Sequence, residues 1–198
     1  MKNTKPLLLA AICLSMAACS RNDAPRDPGD GPGAPVDTSQ LTPTGAAEPA
    51  AALVRLESRS GSAAVGELEL RAVEGGVTIN GEIGGLTAGS EHGIHVHENG
   101  DCSAADASSA GGHFNPHDAP HGAPTVGLEQ RHLGDMPNIV ADENGFTHIN
   151  TAIVGATLRD GGPTDLIGRA VVVHEKRDDY VTQPSGDSGG RIACGVIR

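Results

Sequence analysis

The sequence predicts an all-β domain, a two-sheet sandwich or barrel of short antiparallel strands. Three observations carry this. Short Val/Ile/Leu runs alternate with polar residues at period two, the repeat of a half-buried strand. The 28 glycines and 13 prolines of this 198-residue chain fall between those runs, where turns are needed. No stretch shows a convincing helical repeat. Aromatic residues are scarce, with no Trp, one Tyr (Tyr180) and two Phe (Phe114 and Phe146), so the core must be aliphatic.

The chain opens with a targeting segment at 1–18. Lys2 and Lys5 form a basic start, and the apolar run from Leu7 to Ala18 is too short to span a membrane. Small residues, Ala17 and Ala18, precede Cys19, and the ending resembles a bacterial lipoprotein signal in which that Cys becomes the lipid anchor. Residues 19–50 follow as the anchor and a linker. This stretch is rich in Pro, Gly and Asp and nearly lacks large apolar residues, so it is expected to be disordered.

The domain is expected over 51–198. Strands read at 52–56, 66–71 and 77–83, with a turn at Glu74-Gly75-Gly76 between the second and third. A fourth carries His95 and His97. The stretch from Glu98 to Leu133 has no strand pattern, and loops of that length are usually functional. Four more strands read at 137–140, 145–154, 167–174 and 191–197.

The formal charge of −11 argues against nucleic acid as a partner, because phosphate binding needs a basic face. Of the four cysteines, Cys13 leaves with the signal and Cys19 is the candidate anchor. Cys102 and Cys194 remain in an exported, oxidising setting, which favours a disulfide over two free thiols.

The chemistry concentrates in the histidines. Residues i and i+2 of a strand share a face, so His95 and His97 can grip one metal ion while Ile94 and Val96 face the core. His174 ends an apolar strand and completes an all-imidazole set suited to copper or zinc. The long loop carries GHFNP at 112–116, His121 before Gly-Ala-Pro, and RHLGD at 131–135. Three His and one Asp make a closed tetrahedral set suited to zinc. His113 shared between the sets would complete both, because each ring nitrogen can bind one metal. His117 competes with His121, and the turn residues after His121 favour the latter.

The segments GIHVHE at 93–98, GHFNP at 112–116, RHLGD at 131–135, GRAVVVHEK at 168–176 and RIACGVI at 191–197 together resemble the copper/zinc superoxide dismutase family. The match runs from about Ala51 to the C-terminus. It implies a Greek-key β-sandwich or barrel of about eight antiparallel strands with long metal-binding loops. It implies copper at His95, His97, His113 and His174, and zinc at His113, His121, His132 and Asp135. Asp178 matches a carboxylate joining a copper His to a zinc His, and Arg191 matches the arginine that receives the anionic substrate. Cys102 and Cys194 match the family's disulfide. His92, His117 and His148 match no ligand position.

The implied reaction is dismutation of superoxide to O₂ and H₂O₂, with protection of the cell envelope as its setting. The family includes monomers and homodimers, so a homodimer is one of two states implied. Membrane contact is expected only through the lipid anchor. The segment from Asp178 to Arg191 holds no Lys, so the family's steering cations are not visible there; Lys176, Arg177 and Arg131 are the remaining candidates. Two rival functions share the sandwich: a copper-delivery protein, which would need neither Arg191 nor a full bridge, and a zinc-stabilised structural domain, which would lose one of His95, His97 or His174. The chain retains all of these.

Overall fold

The computed structural model describes residues 49–198; the signal segment, Cys13, Cys19 and nearly all of the linker lie outside the described residues. Nine strands follow in order: β1 (Ala51–Ser58), β2 (Val65–Val73), β3 (Gly76–Gly84), β4 (Glu91–His92), β5 (Ile94–His97), β6 (Ile139–Val140), β7 (Thr147–Val154), β8 (Ala170–His174) and β9 (Arg191–Val196). Among the described residues the only helix is a single 3-10 turn at Ser108–Ala110.

Seven strands form one open, curled antiparallel sheet in the order β5-β8-β9-β1-β2-β3-β7, and β4 pairs with β6 separately. β1 makes the turn of the sheet. Its residues Ala51 to Leu56 pair with β2, and Glu57 and Ser58 pair with β9. Sequence-distant neighbours such as β3 with β7 and β5 with β8 give the crossed connectivity.

Each of the eight strands read in the sequence overlaps an observed one. β4 escaped because two residues show no period. The strand expected at 137–140 shrinks to Ile139–Val140 for a local reason: Pro137 has no N–H to give a ladder, and the Asn138 N–H donates to the Tyr180 hydroxyl at 2.8 Å instead.

The alternation places the core. Val54 and Leu56 of β1, Leu68 and Leu70 of β2, Val77, Ile79 and Ile83 of β3, and Ile149 and Ile153 of β7 are buried against Ile94, Val96, Val171 and Val173. Such side chains contribute about 1.5–3 kcal/mol each when fully buried. Phe114 is the one aromatic in this core; Phe146 lies half exposed across Gly84. β8 is buried on both faces. Its Ala170 and Val172 pack into a second, smaller cluster with Ala107, Ala110 and Cys194. Cys102 and Cys194 form a disulfide that ties the segment after β5 to β9.

Candidate metal centre

β5 lies at the edge of the sheet, and the long loop returns to that edge twice. The Val96 N–H donates to Gly134 O at 2.9 Å, and Val96 O accepts from the Phe114 N–H at 2.8 Å. The Gly134 N–H in turn donates to Phe114 O at 2.9 Å. These bonds set His113 beside His97 and Asp135 beside His95. The approach at Gly134 requires glycine, since an added Cβ would land on Val96 O. Ile94 and Val96 enter the core, as strand periodicity predicts. The opposite face of β5 is also closed to solvent, because the loop covers it; His95 and His97 are 0% and 1% exposed.

Two clusters result. His95, His97, His113 and His174 form one, and His113, His121, His132 and Asp135 the other; within each, one ligand atom per residue lies within 4.8 Å of all the others. All seven side chains are buried, and His113 belongs to both clusters. His117 is exposed and outside both, which separates it from His121.

One nitrogen of each ring in the first cluster is anchored, and the other faces inward. His95 Nε2 meets Asp178 Oδ2 at 2.8 Å, His97 Nδ1 donates to Gly111 O at 3.0 Å, and His174 Nδ1 meets Ser188 Oγ at 3.1 Å. Among the inward atoms, His97 Nε2 and His174 Nε2 are 3.3 Å apart. His113 Nδ1, His121 Nδ1 and His132 Nδ1 surround Asp135 Oδ1 at 2.8, 3.1 and 3.3 Å.

The donor set fits the two metals. His95 Nδ1, His113 Nε2 and His121 Nδ1 are buried without a hydrogen-bond partner. Buried polar atoms are normally satisfied, and orphans within clusters of ligating side chains, His95 and His113 in the first and His121 in the second, mark ion sites. Electrostatics agree at the first cluster. Burial, then neighbouring imidazoles, lowers His97 and His174 well below the usual histidine pKa. Burial lowers His113 to about 4 against the pull of Asp135. Neutral imidazole is the ligating form. His121 is depressed by burial, but Asp135 and Asp178 outweigh this and raise it to about 9. Burial would raise Asp135, yet His113, His121 and His132 hold its carboxyl well below the usual range. Asp135 is therefore a fixed anion among three imidazoles, the composition of a closed zinc site.

Outer contacts join the clusters to the frame. Asp178 bridges them, with Oδ2 on His95 and Oδ1 on His121 Nε2 at 3.0 Å. Asn138 holds Asp178 by its main chain, accepting from its N–H and donating to its carbonyl, both at 2.8 Å. His92 is buried and its Nδ1 meets His174 O at 2.8 Å. The Arg191 guanidinium donates to Ala107 O and Gly111 O, both at 2.7 Å. Gly111 O is also the partner of His97, so one carbonyl separates the cation from the first cluster. Arg131 is no surface cation. It is 4% exposed and donates to the carbonyls of Val126, His132, Leu133 and Val154. Arg177 pairs with Glu91 at 3.4 Å, and Lys176 is exposed. His148 lies on the outer face of β7 beside Glu82, remote in register from the clusters.

A family profile described as copper/zinc superoxide dismutase (SODC) matches residues 64–197. The chain belongs to the copper/zinc superoxide dismutase family. As a member it is an oxidoreductase, a superoxide dismutase, with copper and zinc as cofactors and superoxide as substrate. It is 40% identical over 137 residues to superoxide dismutase [Cu-Zn] 2 of Aquifex aeolicus, covering 68% of this chain and 79% of that one. It is 41% identical over 141 residues to the extracellular superoxide dismutase [Cu-Zn] of Brugia pahangi, covering 67% and 68%. Among solved structures, a superoxide-dismutase-like protein from Bacillus subtilis superposes with a TM-score of 0.66 at 35% identity, covering 74% of this chain and 97% of that one. The family's β-barrel and the curled seven-stranded sheet agree.

Ser188, Asn138 and His92 were not singled out as functional from the sequence. Ser188 and Asn138 are of types common on surfaces, and their partners lie 14 and 40 residues away. Only His92 carried a signal, as part of the histidine-rich segment beside β5.

Proposed function

We propose that this chain dismutes superoxide in the cell envelope, with His95, His97, His113 and His174 holding copper and His113, His121, His132 and Asp135 holding zinc. The observation that carries this is the membership of His113 in both clusters, through Nε2 in one and Nδ1 in the other. Copper, when bound, supplies a one-electron couple that removes an electron from one superoxide and gives it to a second, so that two superoxides and two protons yield O₂ and H₂O₂, while zinc is redox-silent.

The protein supplies the rest. Arg191 receives the anion, because a guanidinium is always protonated and its unused N–H groups can meet a small anion. Its two carbonyl anchors fix where that happens. His113 Nε2, buried and without another partner, would accept a proton whenever it is not holding copper. Asp178 orients His95 and His121 through their outer nitrogens, which sets which ring nitrogen faces each cluster. Ser188 and Gly111 do the same for His174 and His97.

The setting is read from the N-terminal sequence. Residues 1–18 act as a lipoprotein signal, Cys19 becomes the lipid anchor, 19–50 form the spacer and 51–198 the enzyme domain. Export agrees with the Cys102–Cys194 disulfide and with the relative from Brugia pahangi that is named extracellular.

The test is metal analysis and superoxide turnover of the purified chain. Copper and zinc in equal amounts with rapid turnover are expected. His97→Ala should abolish turnover and leave the aliphatic core folded. Full activity of that variant with copper replete would overturn the assignment.

A further inference from the structure

The segment 178–187 reaches across to His121 from 57 to 62 residues away. It meets that residue at three atoms. Asp178 Oδ1 holds the ring at Nε2. Gln183 holds the main chain: its Oε1 accepts from the His121 N–H at 2.8 Å, and its Nε2 donates to His121 O at 2.8 Å. Among the described residues nothing else bonds either main-chain group of His121, which sits in a stretch without regular structure. Pro120 before it has no N–H to contribute, and the Gly122 N–H is turned to Asp135 Oδ2 at 3.1 Å.

The segment that presents Gln183 is bound to itself. The Asp179 N–H donates to Gly186 O at 2.9 Å, and the Gly186 N–H donates to Thr182 O at 2.7 Å. Asp179 Oδ1 accepts from the N–H groups of Val181 and Thr182, both at 2.8 Å. Its approach to the Asp178–His121 pair is as close as backbone allows. An added Cβ on Gly186 would land on Asp178 Oδ1 and lie 2.8 Å from His121 Nε2.

We propose that Gln183 is a positioning residue for the zinc site: its carboxamide fixes the main chain of His121 so that His121 Nδ1 stays aimed at Asp135 and the metal. This rests on the reading of His121 as a zinc ligand. Gln183 is an exposed residue outside the hydrophobic core, so its replacement is not expected to unfold the protein. What is lost is the tether. His121 would then be held by its ring alone, and its ligand nitrogen would wander relative to the other three. Outer contacts of this kind typically change metal affinity about 10–100-fold when removed.

The test uses the full chain loaded with copper and zinc. Gln183→Met keeps the side-chain length and removes both bonds; Gln183→Glu keeps the acceptor for the His121 N–H and removes the donor to its carbonyl. Zinc transfer to a chromogenic chelator should run about tenfold faster or more in Gln183→Met. Amide exchange at His121 should quicken in Gln183→Met but stay protected in Gln183→Glu. The melting temperature of the metal-free protein should barely move, which a purely structural role would not give. Unchanged zinc release and unchanged His121 exchange in Gln183→Met would overturn the proposal, and if that variant failed to fold, loss of His121 protection in Gln183→Glu would do so. His121→Ala separates the two layers. If it lost zinc while Gln183→Met released zinc at the wild-type rate, only the role of Gln183 would fall. If His121→Ala retained zinc like the wild type, the zinc assignment itself would fall.

Discussion

Replacing the disulfide gives a perturbation whose size follows from the chain. Cys102 and Cys194 close a loop of 92 positions. In the chain-entropy treatment, opening such a loop in the unfolded state costs the native state about 4–5 kcal/mol of relative stability. Domains of this size are stable by about 5–15 kcal/mol, so the loss is a large fraction of the total. With about 2–4 °C per kcal/mol for a domain near 150 residues, Cys102→Ala combined with Cys194→Ala should lower the melting temperature of the metal-free protein by about 8–20 °C. The effect should reach the site. The tethered segment carries Ala107 and Gly111, whose carbonyls hold Arg191, and Ala107 packs in the small cluster with Cys194. Turnover should therefore fall even where the variant remains folded and fully metallated. Calorimetry of both proteins without metal, followed by turnover at equal copper content, makes the check. A drop below about 3 °C would refute the loop-entropy argument, and full turnover would show that the anchor of Arg191 does not depend on the tether.

Three further outcomes are expected. Asp135→Ala removes the anion common to three imidazoles and should lower zinc affinity more than about 100-fold, beyond the range for outer contacts; equilibrium zinc competition reads this, and unchanged affinity would exclude Asp135 as a ligand. Arg191→Glu should leave copper and zinc content intact and sharply reduce the second-order rate with superoxide, and added salt should partly restore that rate by screening the new repulsion; an unchanged rate at low salt would remove Arg191 from anion capture. Cys19→Ala should move the protein from the membrane fraction to the soluble envelope fraction with turnover per copper unchanged, and unaltered fractionation would refute the lipid anchor.

The parts of this protein legible in the sequence are those written in short range. Period-two alternation marked the strands because each buries one face. His95 and His97 were legible as a same-face pair because a strand fixes what i and i+2 do. What stayed hidden depends on contacts across the chain. Gln183 and His121 are 62 residues apart, and nothing in either neighbourhood announces the other. Arg131 shows the converse. Beside a candidate ligand in a polar loop it reads as a surface cation, yet its guanidinium is buried and engaged by four carbonyls. The type of a residue does not reveal whether its charge faces water or backbone.

That burial bears on how an acidic enzyme captures an anion. With a formal charge of −11, the distant field opposes superoxide, so attraction must come from charge near the first histidine cluster. Of the cations named by the sequence, Arg131 is consumed as a structural pin and Arg177 is offset by Glu91. Lys176 stays exposed, two residues beyond His174, where water screens it. Arg191 alone combines a half-buried guanidinium with fixed anchors and a shared carbonyl with His97. Its guanidinium is held by Gly111 and Ala107, in the segment that the disulfide ties to β9, and His95 of the first cluster is held by Asp178, which also holds His121. The long loop and the segment 178–187 therefore act as one scaffold around β5. The sheet fixes His95, His97, His174 and Arg191, and the two irregular segments supply what a sheet cannot: the shared histidine, the carboxylate links and the carbonyls that anchor Arg191.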